Sequence, residues 1–230
     1  HCQSYYAASI NTSTTYPTLS DSVSVDVCVI GAGFTGVSTA LTLAERGFSV
    51  AVLEANRVGW GASGRNGGQL IGGFSGASKL IKYYGDEIAE KVWDMQWRGN
   101  DIIRDRVKKY SIDCDLKPGF LDVARNPKQM EELEEDCRTL QQQGFAHELR
   151  LLDKAELEKT IGTLKYFGGL INYGNGHLHP LNLCRGEARA ATELGVHIFE
   201  QSPVVEINHG DRNRVICASG EVDCTFVVLA

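Results

Sequence analysis

The segment from Val25 to Glu54 constrains the fold of this chain more than any other. Val25-Asp26-Val27-Cys28-Val29-Ile30 is a β-prone run suited to a central parallel strand buried on both faces, and it ends at Gly31. From Thr35 to Arg46, apolar residues at Val37, Ala40, Leu41 and Ala44 recur at helical spacing, and Gly47 supplies a stop. A second β-run from Ser49 to Leu53 closes at Glu54. Strand, helix and strand in so short a span favour a right-handed βαβ crossover.

Between the first strand and the helix lies Gly31-Ala32-Gly33-Phe34-Thr35-Gly36, a G-x-G-x-x-G pattern. Glycines are common and the pattern alone is weak, but here strand, glycines and helix occur in the order a dinucleotide site needs. Gly31 makes the tight turn, Gly33 admits a pyrophosphate to the backbone, and Gly36 lets helix and strand approach closely. Phe34 and Thr35 open the helix, whose free amides and positive dipole end point at the phosphates, so no lysine is required. Glu54 stands eighteen residues after Gly36 at the end of the second strand. A carboxylate there accepts hydrogen bonds from both ribose hydroxyls and repels a 2′-phosphate, and Ala55 follows it into the same site. The expected ligand is FAD or NAD rather than NADP; the competing reading is a βαβ unit that binds nothing.

FAD is separated from NAD by the second glycine-rich stretch. Gly59 to Gly76 holds eight glycines in eighteen positions, too many for a regular element, and suggests an ordered loop against a ligand. Close backbone approach of the kind glycine permits suits the ribityl chain and isoalloxazine. Gly61, Ala62, Ser63, Arg65, Asn66, Gly67, Gly68 and Gln69 are the candidates there, against the plainer reading of a flexible loop.

Further along, apolar spacing predicts a helix from Asp86 to Tyr110 that Gly99 bends or splits, with Trp93 and Trp97 read as core packing. A strand over Leu116–Val123 is interrupted at Pro118-Gly119. Asn126-Pro127 starts a helix with Met130, Leu133, Cys137 and Leu140 inward and the acidic run from Glu131 to Asp136 on its solvated face. Asp153 and Glu156 form a capping box, and Phe167–Tyr173 reads as a strand. Pro180–Leu194 is a helix, Val196–Phe199 a strand, and Val204–Asn208, Arg214–Ala218 and Cys224–Ala230 are three more. The first two dozen residues read as an arm with little intrinsic structure that packs on a partner domain. The last run, Phe226 to Ala230, is wholly apolar, which is expected of a chain that continues.

With 23 basic and 29 acidic residues the chain carries a formal charge of −6, which gives no footprint for nucleic acid. Seven cysteines without a C-x-x-C pair argue against a disulfide framework or a metal site and are expected as reduced thiols in cytoplasm. No apolar run reaches the ~20 residues of a membrane span.

Several runs resemble the D-amino-acid oxidase and sarcosine oxidase superfamily of flavoproteins. They are Ser4–Ser9, Asp26–Gly31, Tyr110–Asp115, Gly176–Leu183, Gly186–Ala188 and, most specific, Gly61-Ala-Ser-Gly-Arg-Asn-Gly-Gly-Gln69. The resemblance covers essentially the whole chain and implies an α/β fold: a Rossmann-like FAD-binding domain, its parallel sheet extended by a β-meander, plus part of an α+β substrate domain. It implies an arm over 1–19, FAD-binding segments over 20–110 and 176–230, and a substrate-domain segment over 111–175. Val204 then matches a segment whose backbone meets the adenine, and Ala230 ends a strand that leads to a further flavin contact. Members of this type are roughly twice as long.

The implied reaction is oxidation of a primary amine. Hydride leaves the carbon bearing the neutral amine for flavin N5, water hydrolyses the imine, and oxygen regenerates the flavin, giving aldehyde, ammonia and hydrogen peroxide. The partners implied are a small-molecule amine and O2. With no histidine or cysteine between Glu54 and Ser78 to tether it, FAD is expected to be noncovalent. No catalytic residue is assigned. His177 and His179 are tempting, but Pro180 as a first helical residue makes His179 a capping residue. Alternatives are sarcosine, glycine or D-amino acids as substrates, an FAD-binding fragment without turnover, and an NAD-dependent dehydrogenase.

Overall fold

The computed structural model describes residues 1–73 and 76–230. Phe74 and Ser75, within the glycine-rich stretch expected to order against a ligand, lie outside the described residues. In chain order the elements are α1 (Tyr5–Ala8), β1 (Ser22–Ile30), α2 (Phe34–Glu45), β2 (Val50–Leu53), a 3-10 turn (Ala62–Gly64), β3 (Gln69–Leu70), α3 (Ala77–Tyr84) and α4 (Asp86–Lys109). They continue as β4 (Lys117–Ala124), α5 (Pro127–Gln142), β5 (Leu149–Leu152), α6 (Lys154–Ile161), β6 (Gly168–His177) and α7 (Pro180–Glu193). The last strands are β7 (His197–Phe199), β8 (Val204–Asn208), β9 (Asn213–Cys217) and β10 (Glu221–Leu229).

Two compact units emerge, the first comprising 1–68, 105–114 and 179–230 and the second 69–104 and 115–178. The first holds a six-stranded sheet in the order β7-β2-β1-β10-β9-β8. β7, β2, β1 and β10 run parallel, and β10, β9 and β8 form an antiparallel meander, so the expected Rossmann-like sheet with a meander is what the chain builds. β2 is buried throughout its four residues, which explains its unbroken apolar sequence. Val50 and Val52 join Val27, Val29, Val37, Leu41 and the alanines of α7 in one cluster. Ala51 and Leu53 face a second cluster with Leu19, Cys28, Val215 and Cys224. Each fully buried Val or Leu contributes roughly 1.5–3 kcal/mol, and alternate residues of one short strand thereby hold both layers.

In the second unit β6 is central. β4 pairs along its whole length, leaving the other edge to β5 at Gly169–Asn172 and to β3 at Gly176–His177, all antiparallel. Pro118 lacks an N–H for the ladder, and the register shifts between it and Phe120. Asn126 caps α5 by accepting from Gln129 N–H at 2.9 Å, and Asp153 and Glu156 form the expected capping box on α6.

Differences from the sequence-based expectations have physical causes. Residues 69–104, expected with the FAD-binding segment 20–110, cluster instead with 115–178, because Gln69-Leu70 adds to the edge of β6 and Asn100 and Arg104 both donate to Gly174 O. The arm over 1–19 and the segment 105–114 belong to the first unit. The arm carries one helical turn, and Arg185 fixes it through Thr12 O and Thr14 O. α4 passes Gly99 without a break. Trp93 and Trp97 are half-buried and stand outside the core clusters, contrary to their reading as core. No described helix is long and apolar enough to cross a membrane.

Candidate cofactor site

Strand register decides what comes together. Ile30 pairs with Leu53 and with Leu229, and Leu53 with Phe199, so four parallel strands end level. The next residues, Gly31, Glu54, Glu200 and Ala230, therefore share one carboxyl edge, where open α/β sheets take their ligands.

Gly31 leaves β1 with φ +105°, a conformation that favours glycine, and its N–H donates to Leu53 O at 2.8 Å. A Cβ at Gly31 would strike the carbonyl of Ala230, and one at Gly36 the carbonyl of Gly31. Gly33 is the N-cap of α2 and, as glycine, offers no side-chain cap of its own. Phe34 N–H donates to Ser63 Oγ at 2.9 Å, which draws the second glycine-rich stretch to the end of α2. Thr35 is exposed in the first turn.

Glu54 is held by its neighbours. Its Oε2 accepts from Ala32 N–H and its Oε1 from Asn56 N–H, both at 2.8 Å. A carboxylate has about four acceptor sites, so capacity remains for two hydroxyls. Ala55 beside it is exposed.

Within the second stretch, Asn66 spends its side chain on the loop. Nδ2 donates to Ala62 O and Ser63 O, and Oδ1 accepts from Gly68 N–H. Arg65 is exposed and donates through Nε to Gly61 O. Around Gly61 and Gly67 a Cβ would meet nothing within 4 Å. Gln69 lies in β3 of the second unit, paired with His177. Val204 opens β8 against the second core cluster, two residues after Ser202, whose N–H donates to Glu54 O.

Three residues central to this frame escaped the sequence reading. Glu200, with 1% of its side chain exposed, accepts from Val58 N–H at 2.8 Å, Arg57 Nη1 at 2.9 Å and Tyr16 N–H at 3.3 Å. It pins the turn after β2 that presents Glu54. Arg106 and Glu187 form a buried pair at 3.0 Å, and Arg106 also donates to Ser38 Oγ and Thr42 Oγ1 on α2. Burial pushes the Glu187 carboxyl up, and Arg106 draws it part of the way back. The one available signal was a carboxylate at the end of a short apolar strand, which Glu200 shares with Glu54.

His179 is accounted for as a cap. Its Nδ1 accepts from Asn182 N–H at 3.1 Å, and Nε2 lies 3.1 Å from Ser9 Oγ.

A family model described as DAO, FAD dependent oxidoreductase, matches residues 26–230. The chain belongs to this FAD-dependent oxidoreductase family. It is 45% identical to the gamma-glutamylputrescine oxidoreductase of Escherichia coli over 231 aligned residues, covering 100% of the chain and 54% of that protein. It is 48% identical to a probable oxidoreductase, OrdL, of Haemophilus influenzae over 90% of the chain and 48% of that protein. The chain thus spans about half the length of these curated relatives. The structure of L-amino acid deaminase from Proteus myxofaciens superposes with a TM-score of 0.74 at 24% identity, over 95% of the chain and 48% of that protein. Glycine oxidase from Geobacillus kaustophilus gives 0.67 at 21%, over 90% and 55%. At such identities the likeness is one of fold.

The residues present fit the family's FAD. A helix end whose N-cap is a glycine, with a single hydroxyl on its first amide, suits a pyrophosphate, and a fixed carboxylate one strand away suits a ribose.

Proposed function

We propose that this chain supplies the FAD-binding portion of a flavin-dependent oxidase of a primary amine such as gamma-glutamylputrescine. Identity of 45% along the entire chain with the E. coli gamma-glutamylputrescine oxidoreductase carries the assignment, and strand ends that lie level at one carboxyl edge support it. Gly31 makes the turn, its own N–H given to Leu53 O, and the backbone amides of Gly33, Phe34, Thr35 and Gly36 face the pyrophosphate, with the dipole of α2 behind them. Glu54 and Ala55 hold the ribose. Ser63 releases Phe34 N–H to the ligand, and Gly61, Ala62, Arg65, Asn66, Gly67, Gly68 and Gln69 line the path of the ribityl chain and flavin. The backbone of Val204 meets the adenine, and Ala230 leads toward the flavin. FAD held by these residues would supply the hydride acceptor for oxidation of the carbon bearing the neutral amine, with oxygen as the terminal oxidant. Amine, water and O2 would then yield aldehyde, ammonia and hydrogen peroxide. Seven cysteines without a C-x-x-C pair suit a cytoplasmic setting.

Peroxide release is the test. Protein bearing this chain should form peroxide with gamma-glutamylputrescine and far less with sarcosine, glycine or D-amino acids; the reverse order would overturn the substrate class. A flavin spectrum without peroxide would mark a binding portion that does not turn over, and no flavin band at all would favour NAD. Acid precipitation should leave a white pellet and a yellow supernatant, since no histidine or cysteine stands between Glu54 and Ser78. Colour retained in the pellet would contradict noncovalent binding.

A further inference from the structure

We propose that the second unit carries a pocket for an organic ammonium ion, formed by α4 and the turn at Gly144–His147. A cavity of about 410 Å³ opens there, within the range of small-molecule sites. Glu90, Asp94, Trp97 and Asp101 follow one another at three- and four-residue steps, so they share one face of α4, with Trp93 beside them. Phe145 lines the cavity from the turn and packs against Trp97. Trp97 and Phe145 have ring centroids 4.5 Å apart at 60°, and Trp93 and Trp97 6.0 Å apart at 66°. Trp97 also lies so close to Gly72 that a Cβ there would strike its ring. Its orientation is therefore set before any ligand arrives.

Charge selects the ligand. The lining has three carboxylates against one guanidinium, Arg98, which pairs with Asp94 at 3.7 Å where both side chains are more than half exposed. A pair so open to solvent is weak. Asp101 is held by His147 and Arg104, each at 3.1 Å, while Glu90 makes no ion pair among the described residues. Anions are repelled here. A neutral apolar guest would strip water from the carboxylates without replacing it. An ammonium satisfies both halves of the lining, its charge over an indole face and its N–H or polarised C–H groups toward Glu90 and Asp94.

None of these residues belongs to the FAD-binding set of the first unit, so the two proposals can fail separately. Trp60 is the remaining tryptophan, and Trp60→Phe leaves emission from Trp93 and Trp97 alone. In that background, 1,4-diaminobutane at constant ionic strength should change the emission to saturation, and butane-1,4-diol should not. Trp97→Leu should weaken the diamine about tenfold. Calorimetry on Glu90→Gln, an exposed conservative change, should show weakening of about threefold and covers a failure of Trp97→Leu to fold. An unsaturable response, an equal response to the diol, or unchanged affinity in Glu90→Gln would overturn the pocket. Colourless protein that still binds the diamine would sink the FAD assignment alone.

Discussion

Exchanging Glu54 for arginine should give a purified chain without a flavin band. Two effects act together. The carboxylate proposed to accept both ribose hydroxyls is lost, and charged hydrogen bonds contribute roughly 1.5–3 kcal/mol each, so affinity should fall by a hundredfold or more. Ala32 and Asn56 also lose the acceptor that fixes the turn after β1 and the turn after β2. Glu54→Gln keeps the shape and one carbonyl acceptor, and should fall between wild type and arginine. The measurement is the ratio of the visible flavin band to the protein band after gel filtration, with circular dichroism to confirm that the arginine variant folds. A folded Glu54→Arg variant with its full complement of flavin would remove Glu54 from the site.

What could be read from the sequence was local. β1, the glycine turn, α2 and β2 follow from periodicity and spacing within thirty residues, and Gly47 and Gly195 mark the stops after α2 and α7. The meander was legible because β8, β9 and β10 alternate with turns at Gly210 and Gly220. Two short edge strands were not. β3 has two residues and β5 has four, and they are strands only because β6 offers an edge to pair with. α1 lies in a segment whose composition suggests an arm, and α3 begins just after the glycine-rich stretch that ends at Gly76. Side-chain ties between distant segments were the least visible: Glu200 meets Val58 across 142 positions, and Arg106 meets Glu187 across 81. Nothing local distinguishes Glu187 from the solvated carboxylates on α5. Asn66 shows the converse, a polar residue nominated for ligand contact whose side chain stiffens its own loop.

The buried pair should have the largest effect on stability. Glu187 and Arg106 expose 3% and 9% of their side chains, and removing one partner strands the other's charge away from water. Glu187→Ala should therefore cost about 3–5 kcal/mol, lowering the urea midpoint by about 1 M or more. Arg106 also ties α4 to Ser38 and Thr42, so α2 should loosen and flavin retention should fall with stability. Exchanging both partners for apolar residues of similar volume, Arg106→Met with Glu187→Leu, should recover most of the stability, because the desolvation of two charges disappears with the attraction between them. It should not recover flavin binding to the same extent, since the guanidinium's bonds to α2 are still missing. A Glu187→Ala midpoint indistinguishable from wild type would mean that Arg106 reaches solvent or another acceptor, and the clamp on α2 would have to be sought elsewhere.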